Sequence, residues 1–239
     1  MPRLLYIEAS PRKDRSASIE VSRAFLEAYR FAHPDDEVET VDIWASDLPS
    51  FNGEALAAKY AGLSGMPLTI EQKTIWDEIQ RLAAPFLTAD KLLLAVPLWN
   101  FGIPYRLKQL IDLISQKDIL FSFDGTGFRG LLKARKAAVV YARGLDYLSA
   151  ASSTPATTYD FQRSYMEMWL RFIGITTISE IIRLSRRLEK LVGDDVAGTA
   201  VHTVTGPGAG SDKKDIGHNG SVARLTGQWP KQVALGQFQ

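Results

Sequence analysis

The stretch that most constrains this chain runs from Lys91 to Lys108. An apolar run, Lys91 to Val96, stops at Pro97-Leu98-Trp99-Asn100-Phe101-Gly102-Ile103. Pro104 then opens an amphipathic helix with Leu107, Leu110, Ile111 and Ile114 on its apolar face, Pro being well suited to the first helical position. A strand, an aromatic–amide loop and a helix in that order present a flat ligand at the carboxyl end of a strand in an open α/β sheet. The loop's amides have no sheet partner. Trp99 and Phe101 can cover an aromatic face, and Asn100 can donate and accept hydrogen bonds. The same residues also suit an ordinary strand-to-helix turn with its aromatics in the core, and the loop alone does not separate the two readings.

The preceding chain supplies the sheet for this loop. Arg3 to Glu8 reads as a first buried strand. The loop Ala9 to Ser18 carries three serines (Ser10, Ser16, Ser18) and three basic residues (Arg12, Lys13, Arg15). It leads into a helix, Ser18 to Phe31, with Ile19, Ser22, Phe25, Leu26 and Tyr29 on one face and Ser16 or Ser18 as N-cap. A helix N-terminus beside hydroxyls and guanidinium groups is an anion site. The loop lacks glycine, so it is neither a Walker loop nor a dinucleotide fingerprint, and a single phosphate fits better. A plain capped helix with solvated basic residues is the alternative. Glu37 to Ile43 follows as a second strand, then helices at Asn52 to Leu63 and Ile70 to Ala84.

Beyond the central loop, Phe121 to Phe128 alternates aromatic with polar residues through Asp124-Gly125 and reads as a small hairpin. Lys136 to Ala142 is a fourth strand, and Arg143-Gly144 sits at its carboxyl end. There it offers either a cation and a close backbone approach for a ligand, or a surface turn. Ser149 to Thr158 is a small polar loop, Asp160 caps a helix presenting Phe161, Tyr165, Met168, Trp169 and Phe172, Thr176 to Ile182 is a fifth strand, and Arg183 to Val192 suits a last helix. Up to the third strand, strands and helices alternate with no hairpin signal. That pattern builds a doubly wound parallel α/β sheet. In the flavodoxin-like order 2-1-3-4-5, the serine loop and the Trp99 loop flank one crevice. After Gly193 the composition shifts: eight of the 18 glycines lie beyond it. Residues 1–192 are therefore read as the domain, and 193–239 as a glycine-rich irregular or disordered tail.

Composition limits the chemistry. With 28 basic and 27 acidic residues the chain lacks the charge for a large nucleic-acid footprint. It has no cysteine, which removes disulfides, thiolate metal sites and a cysteine nucleophile, and its three histidines show no metal-ligand spacing. Met1 to Lys13 is not a signal peptide, and no apolar run approaches the roughly 20 residues of a membrane span. A soluble cytoplasmic protein is expected.

The span Arg3 to Val192 resembles the FMN-dependent NADH-azoreductases, within the flavodoxin-like NAD(P)H:quinone reductases. The resemblance rests on Ser10-Pro11-Arg12 with Ser16-Ala17-Ser18, on Pro97 to Pro104 running into Leu107-Lys108, on Phe121-Ser122-Phe123 with Gly127 and Gly130-Leu131, and on Ala142-Arg143-Gly144 with Phe172 to Thr176. It implies that Ser10, Arg12, Ser16, Ala17 and Ser18 hold the FMN phosphate. It further implies that Pro97, Leu98, Trp99, Asn100 and Phe101 line the isoalloxazine, and that Arg143 and Gly144 sit by its pyrimidine end. A homodimer is implied, with Phe121, Phe123, Tyr147 and Phe161 closing the substrate pocket. The chain departs from the family pattern at Leu145, where a second glycine is common, and at Asp146-Tyr147, where a histidine often follows. The chemistry implied is flavin-centred: NADH or NADPH reduces FMN, and a quinone or azo compound then takes two electrons in a ping-pong cycle. A flavin reductase of the same fold and a flavin-binding electron carrier are the alternatives. A hydrolase is a third idea, and it lacks a Gly-x-Ser-x-Gly elbow.

Overall fold

A computed structural model of the chain describes residues 1–147, 152–184, 199–205 and 223–225. Five parallel strands form the body of the sheet: β1 (Arg3–Glu8), β2 (Glu37–Asp42), β3 (Lys91–Pro97), β6 (Lys136–Arg143) and β7 (Thr177–Leu184). They lie in the order β2-β1-β3-β6-β7, which is 2-1-3-4-5 counted over the parallel strands. The central strands are apolar almost throughout because both their faces are covered. Leu4 and Tyr6 point to one face, Leu5 and Ile7 to the other. The first pair packs with Ile19, Phe25 and Tyr29 of α1 (Ala17–Ala32). The second packs under α3 (Ile70–Thr88), α4 (Tyr105–Ile114) and α6 (Phe161–Phe172). Each buried Leu, Ile or Phe contributes on the order of 1.5–3 kcal/mol to holding these layers.

α2 (Gly53–Leu63) is capped by Asn52, whose Oδ1 accepts from the amides of Glu54 and Ala55, both at 3.1 Å. The hairpin of β4 (Phe121–Phe123) and β5 (Phe128–Gly130) is antiparallel, as its alternation suggests. Phe121 lies 4.7 Å from Phe172 between ring centroids, which docks the hairpin on α6.

Six elements differ from the sequence reading. α3 does not stop before Pro85 but continues to Thr88. Pro85 sacrifices a helical hydrogen bond, but Ala83 and Phe86 on either side of it are buried in the core. Pro104 is the N-cap of α4, one position before the first helical residue. Residues 156–159 form a short helix, α5 (Ala156–Tyr159), inside the segment read as loop. The irregular tail is corrected at two places: β8 (Thr199–Thr205) pairs antiparallel with β7, and β9 (Ala223–Leu225) with β8. The run 199–205 is rich in Thr and Val, which favour strands. Arg183 and Leu184 close β7, so the helix read from Arg183 does not begin there; residues 185–192 lie outside the described residues.

Candidate functional site

The carboxyl ends of β1, β3 and β6 stop at one edge of the sheet, with Glu8 beside Ala95 and Pro97 beside Ala142. The serine loop leaves β1 there. Ser10, Ser16 and Ser18 are all buried. Ser10 Oγ accepts from the Arg12 amide at 3.4 Å, and the Ser16 and Ser18 hydroxyls meet at 3.1 Å. Ser16 is the N-cap of α1, yet its side chain makes no capping hydrogen bond. The first-turn amides of a helix need partners from outside the helix, and here the capping serine does not supply one.

Lys13 is taken out of the loop's cation set. Its backbone is left-handed (φ 46°), and its ammonium pairs with Glu8 at 3.1 Å and with Asp42. Burial pushes the Lys13 ammonium pKa down, but the bonds to Asp42 and Glu8 outweigh it and the net direction is up. For Asp42, burial pushes up, and the bonds from Lys13 and the Trp44 amide carry the net direction down. Arg12 and Arg15 remain exposed at the rim.

The Trp99 loop is a tight two-residue turn. Trp99 and Gly102 exchange both backbone hydrogen bonds, at 3.1 and 2.9 Å. Asn100 and Phe101 between them have φ of 46° and 69°. Positive φ at both central positions defines a type I′ turn, which suits Asn but is unusual for a bulky residue. The Leu98 amide donates to the Ala142 carbonyl at 2.9 Å and ties the loop to β6. Trp99 packs 5.7 Å from Trp44 and 6.3 Å from Tyr105 between centroids, and Trp44 Nε1 donates to the Ala9 carbonyl at 3.1 Å. The cluster holds Trp99 half-buried, whereas Phe101 stays 43% exposed, 5.4 Å from the Tyr159 ring.

Arg143 is not a loop residue. It ends β6 and is buried. Its guanidinium forms a two-point pair with Asp160, Nη1–Oδ2 at 2.7 Å and Nη2–Oδ1 at 3.1 Å, and lies over the rings of Tyr141 and Tyr147. Gly144 follows, and a Cβ added there would meet nothing within 4 Å.

These segments enclose a cavity of about 480 Å³. Among the residues singled out from sequence, Ser10, Arg12, Ser16, Ala17, Pro97, Leu98, Trp99, Arg143 and Gly144 line it, and Ser18, Asn100 and Phe101 do not. Sequence reasoning did not assign Asp14, Glu20, Ala142 or Arg183 to this lining. Trp44 also went unassigned; its position just after the second strand, at the same sheet edge, was the available signal. None of the four residues expected to close a substrate pocket lines this cavity. Tyr147 is buried 5.5 Å from the Arg143 guanidinium. Phe121 and Phe123 belong to the hairpin. Phe161, 60% exposed, lines a separate cavity of about 580 Å³ with Tyr105, Lys108 and Tyr165. Among the described residues no group of three or more His, Asp or Glu could hold a metal, and no helix is long and apolar enough to cross a membrane.

Residues 2–197 match the model of a protein family described as having a flavodoxin-like fold, and the chain belongs to that family. Over 182 residues it is 62% identical to the FMN-dependent NADH:quinone oxidoreductase 9 of Burkholderia lata, covering 76% of this chain and 87% of that one. It is 50% identical over 183 residues to the FMN-dependent NADH:quinone oxidoreductase 3 of Pseudomonas fluorescens, covering 76% and 84% of the two chains. Among solved structures it resembles an azoreductase from Bacillus anthracis, with a TM-score of 0.73, 26% identity, and coverage of 82% of this chain and 92% of that one. An FMN-dependent NADH-azoreductase from the same species, solved in complex with FMN, gives a TM-score of 0.67 at 26% identity over 77% and 86% of the chains.

Proposed function

We propose that this chain is an FMN-dependent oxidoreductase that passes two electrons from NADH to quinones and azo compounds. The observation that carries the reading is the meeting of the serine loop, the Trp99 loop and Gly144 around one cavity. The relatives at 62% and 50% identity, both named FMN-dependent NADH:quinone oxidoreductases, support it.

The residues present fit a phosphorylated planar cofactor. The N-terminus of α1 opens at Ser16 without a side-chain cap, so its amides and partial positive charge are available to a phosphate. The Ser10 and Ser16 hydroxyls add donors and Arg12 adds formal charge. Leu98 and Trp99 form an apolar wall that excludes water and orients a ring, and Gly144 leaves room for an edge to approach the backbone. Acceptance of a hydride from NADH and delivery of two electrons to an acceptor is the chemistry FMN supplies when bound. The protein's part is orientation and a preformed field, which needs no side-chain nucleophile. We infer ping-pong kinetics, with NADH and the acceptor taking turns at the cavity that these loops form. We further propose a cytoplasmic homodimer in which the exposed Phe161 and Phe123 of one subunit cover the cavity of the other.

The test is to incubate the purified protein with FMN, desalt it, and record its visible spectrum. Retained flavin bands, and parallel double-reciprocal plots for NADH and a quinone, are expected. A colourless protein after desalting sinks the proposal.

A further inference from the structure

Behind the cavity wall, a set of buried polar groups joins the two strand ends that carry the ligand loops. Arg143 ends β6, and its side chain is fully buried against Asp160, itself only 4% exposed. Asp160 also caps α6, its Oδ1 accepting from the Arg163 amide at 2.9 Å. Two residues on, Gln162 is completely buried. Its Oε1 accepts from Arg143 Nε at 3.2 Å, and its Nε2 donates to the Val96 carbonyl at 2.9 Å. The chemistry dictates that orientation of the amide: a guanidinium only donates and a carbonyl only accepts. Gln162 is thus a bridge between β6 at Arg143 and β3 at Val96, one residue before Gly144 on one side and one before Pro97 on the other. Nothing about helix packing requires it. A buried amide at that position of α6 has no value unless both its ends are bonded.

The charge is arranged as deliberately as the geometry. Arg143 lines the cavity, and a lone buried guanidinium there would impose a strong positive field. Asp160 cancels it with a two-point pair.

We propose that Asp160 and Gln162 are positioning residues for the cofactor: Asp160 offsets the charge of Arg143 at the cavity wall, and Gln162 holds the Trp99 loop and the Gly144 loop in register. This rests on the FMN reading above. Reduced flavin carries the greater negative charge, so an uncompensated Arg143 favours the reduced form and raises the potential of the bound cofactor. Loss of the Gln162 bridge loosens the two loops and weakens binding of both redox forms alike.

The test uses the full chain loaded with FMN, comparing wild type with Asp160→Asn, Asp160→Glu and Gln162→Met. The readouts are the midpoint potential from an anaerobic dye-equilibrated titration and the FMN Kd from fluorescence quenching. For Asp160→Asn the expected result is at least a tenfold gain in preference for reduced FMN, which is about 30 mV more positive for a two-electron couple; Asp160→Glu returns the potential toward wild type. For Gln162→Met, Kd rises tenfold or more at unchanged potential. Asp160→Asn protein that holds FMN at the wild-type potential overturns the charge assignment, and a wild-type Kd in Gln162→Met overturns the bridge. If Asp160→Asn does not fold, Arg143→Gln, which leaves Asp160 uncompensated, tests the charge in its place, with a more negative potential expected and the wild-type potential overturning it; Gln162→Met, which leaves the ion pair intact, still decides the bridge. Wild-type protein that takes up no FMN refutes the proposed function itself, a result distinct from FMN-binding variants that behave like wild type.

Discussion

Phe101→Gly separates folding from binding at the Trp99 turn. Phe101 sits at φ 69°, where an L-residue is disfavoured by roughly 1–2 kcal/mol. Glycine removes that strain and makes the turn Asn-Gly, the preferred type I′ pair. Against this, glycine costs about 0.5–1 kcal/mol in backbone entropy. The ring contact with Tyr159, at 5.4 Å between centroids, is worth about 0.5–1.5 kcal/mol. Gain and loss nearly cancel, so urea unfolding of the apoprotein should put the variant within about 1 kcal/mol of wild type. Binding behaves differently. Phe101 does not line the cavity itself but stands 43% exposed in the turn whose neighbours Leu98 and Trp99 do; if it folds over a bound planar ligand, its loss removes stacking worth about 1–3 kcal/mol, and the FMN Kd rises roughly five- to 150-fold. Destabilisation beyond about 3 kcal/mol, or an unchanged Kd, would show that Phe101 is there for packing and refute the reasoning.

Other perturbations probe the scaffold and the anion site. Gly130→Ala puts a Cβ 2.1 Å from the Ile173 carbonyl carbon and 2.2 Å from the Gly174 nitrogen; because both are backbone atoms, a loss of at least about 3 kcal/mol is expected in urea unfolding. Ser16→Ala removes no capping bond but leaves the buried Ser18 hydroxyl without its partner at 3.1 Å, so urea unfolding of the apoprotein should show a loss of about 1–3 kcal/mol, and the FMN affinity of the folded variant should fall by about 1.5–3 kcal/mol through a lost bond to a charged phosphate. Asp42 has its carboxyl held below the ordinary carboxylate range, its bonds from Lys13 and the Trp44 amide overcoming burial. The stability it contributes is present above that ordinary range and disappears as pH falls through the lowered value. Lys13→Met should therefore flatten the acid side of the stability curve, by no more than about 1 kcal/mol because the Lys13 side chain is 36% exposed.

The parallel sheet was legible because its strands are nearly continuous apolar runs punctuated by polar loops, and Arg3–Glu8 matches its expected bounds. The crevice was legible for the same reason, since topology alone brings the ends of the first and third strands together. Pro85 misled because a local helix breaker was outweighed by burial of its neighbours in a core the local sequence does not display. On α6 the apolar pattern pointed to Phe161 and Met168, both of which are exposed, while Gln162 and Met166 are buried. A glutamine reads as surface until its partners, Arg143 and Val96, are known, and those lie 19 and 66 residues away. Arg143 suited a ligand-facing cation equally well on paper, and only the structure pairs it with Asp160.

The most direct test of the central claim is a sequential anaerobic experiment on FMN-loaded protein. NADH is added in one equivalent, the nicotinamide is removed by gel filtration, and a quinone is then mixed in while the flavin absorbance is followed. The account predicts bleaching by NADH, a reduced protein that survives filtration, and full return of the oxidised bands with one equivalent of quinone. Flavin that NADH does not bleach, or a reduced protein that quinone leaves bleached, would contradict it.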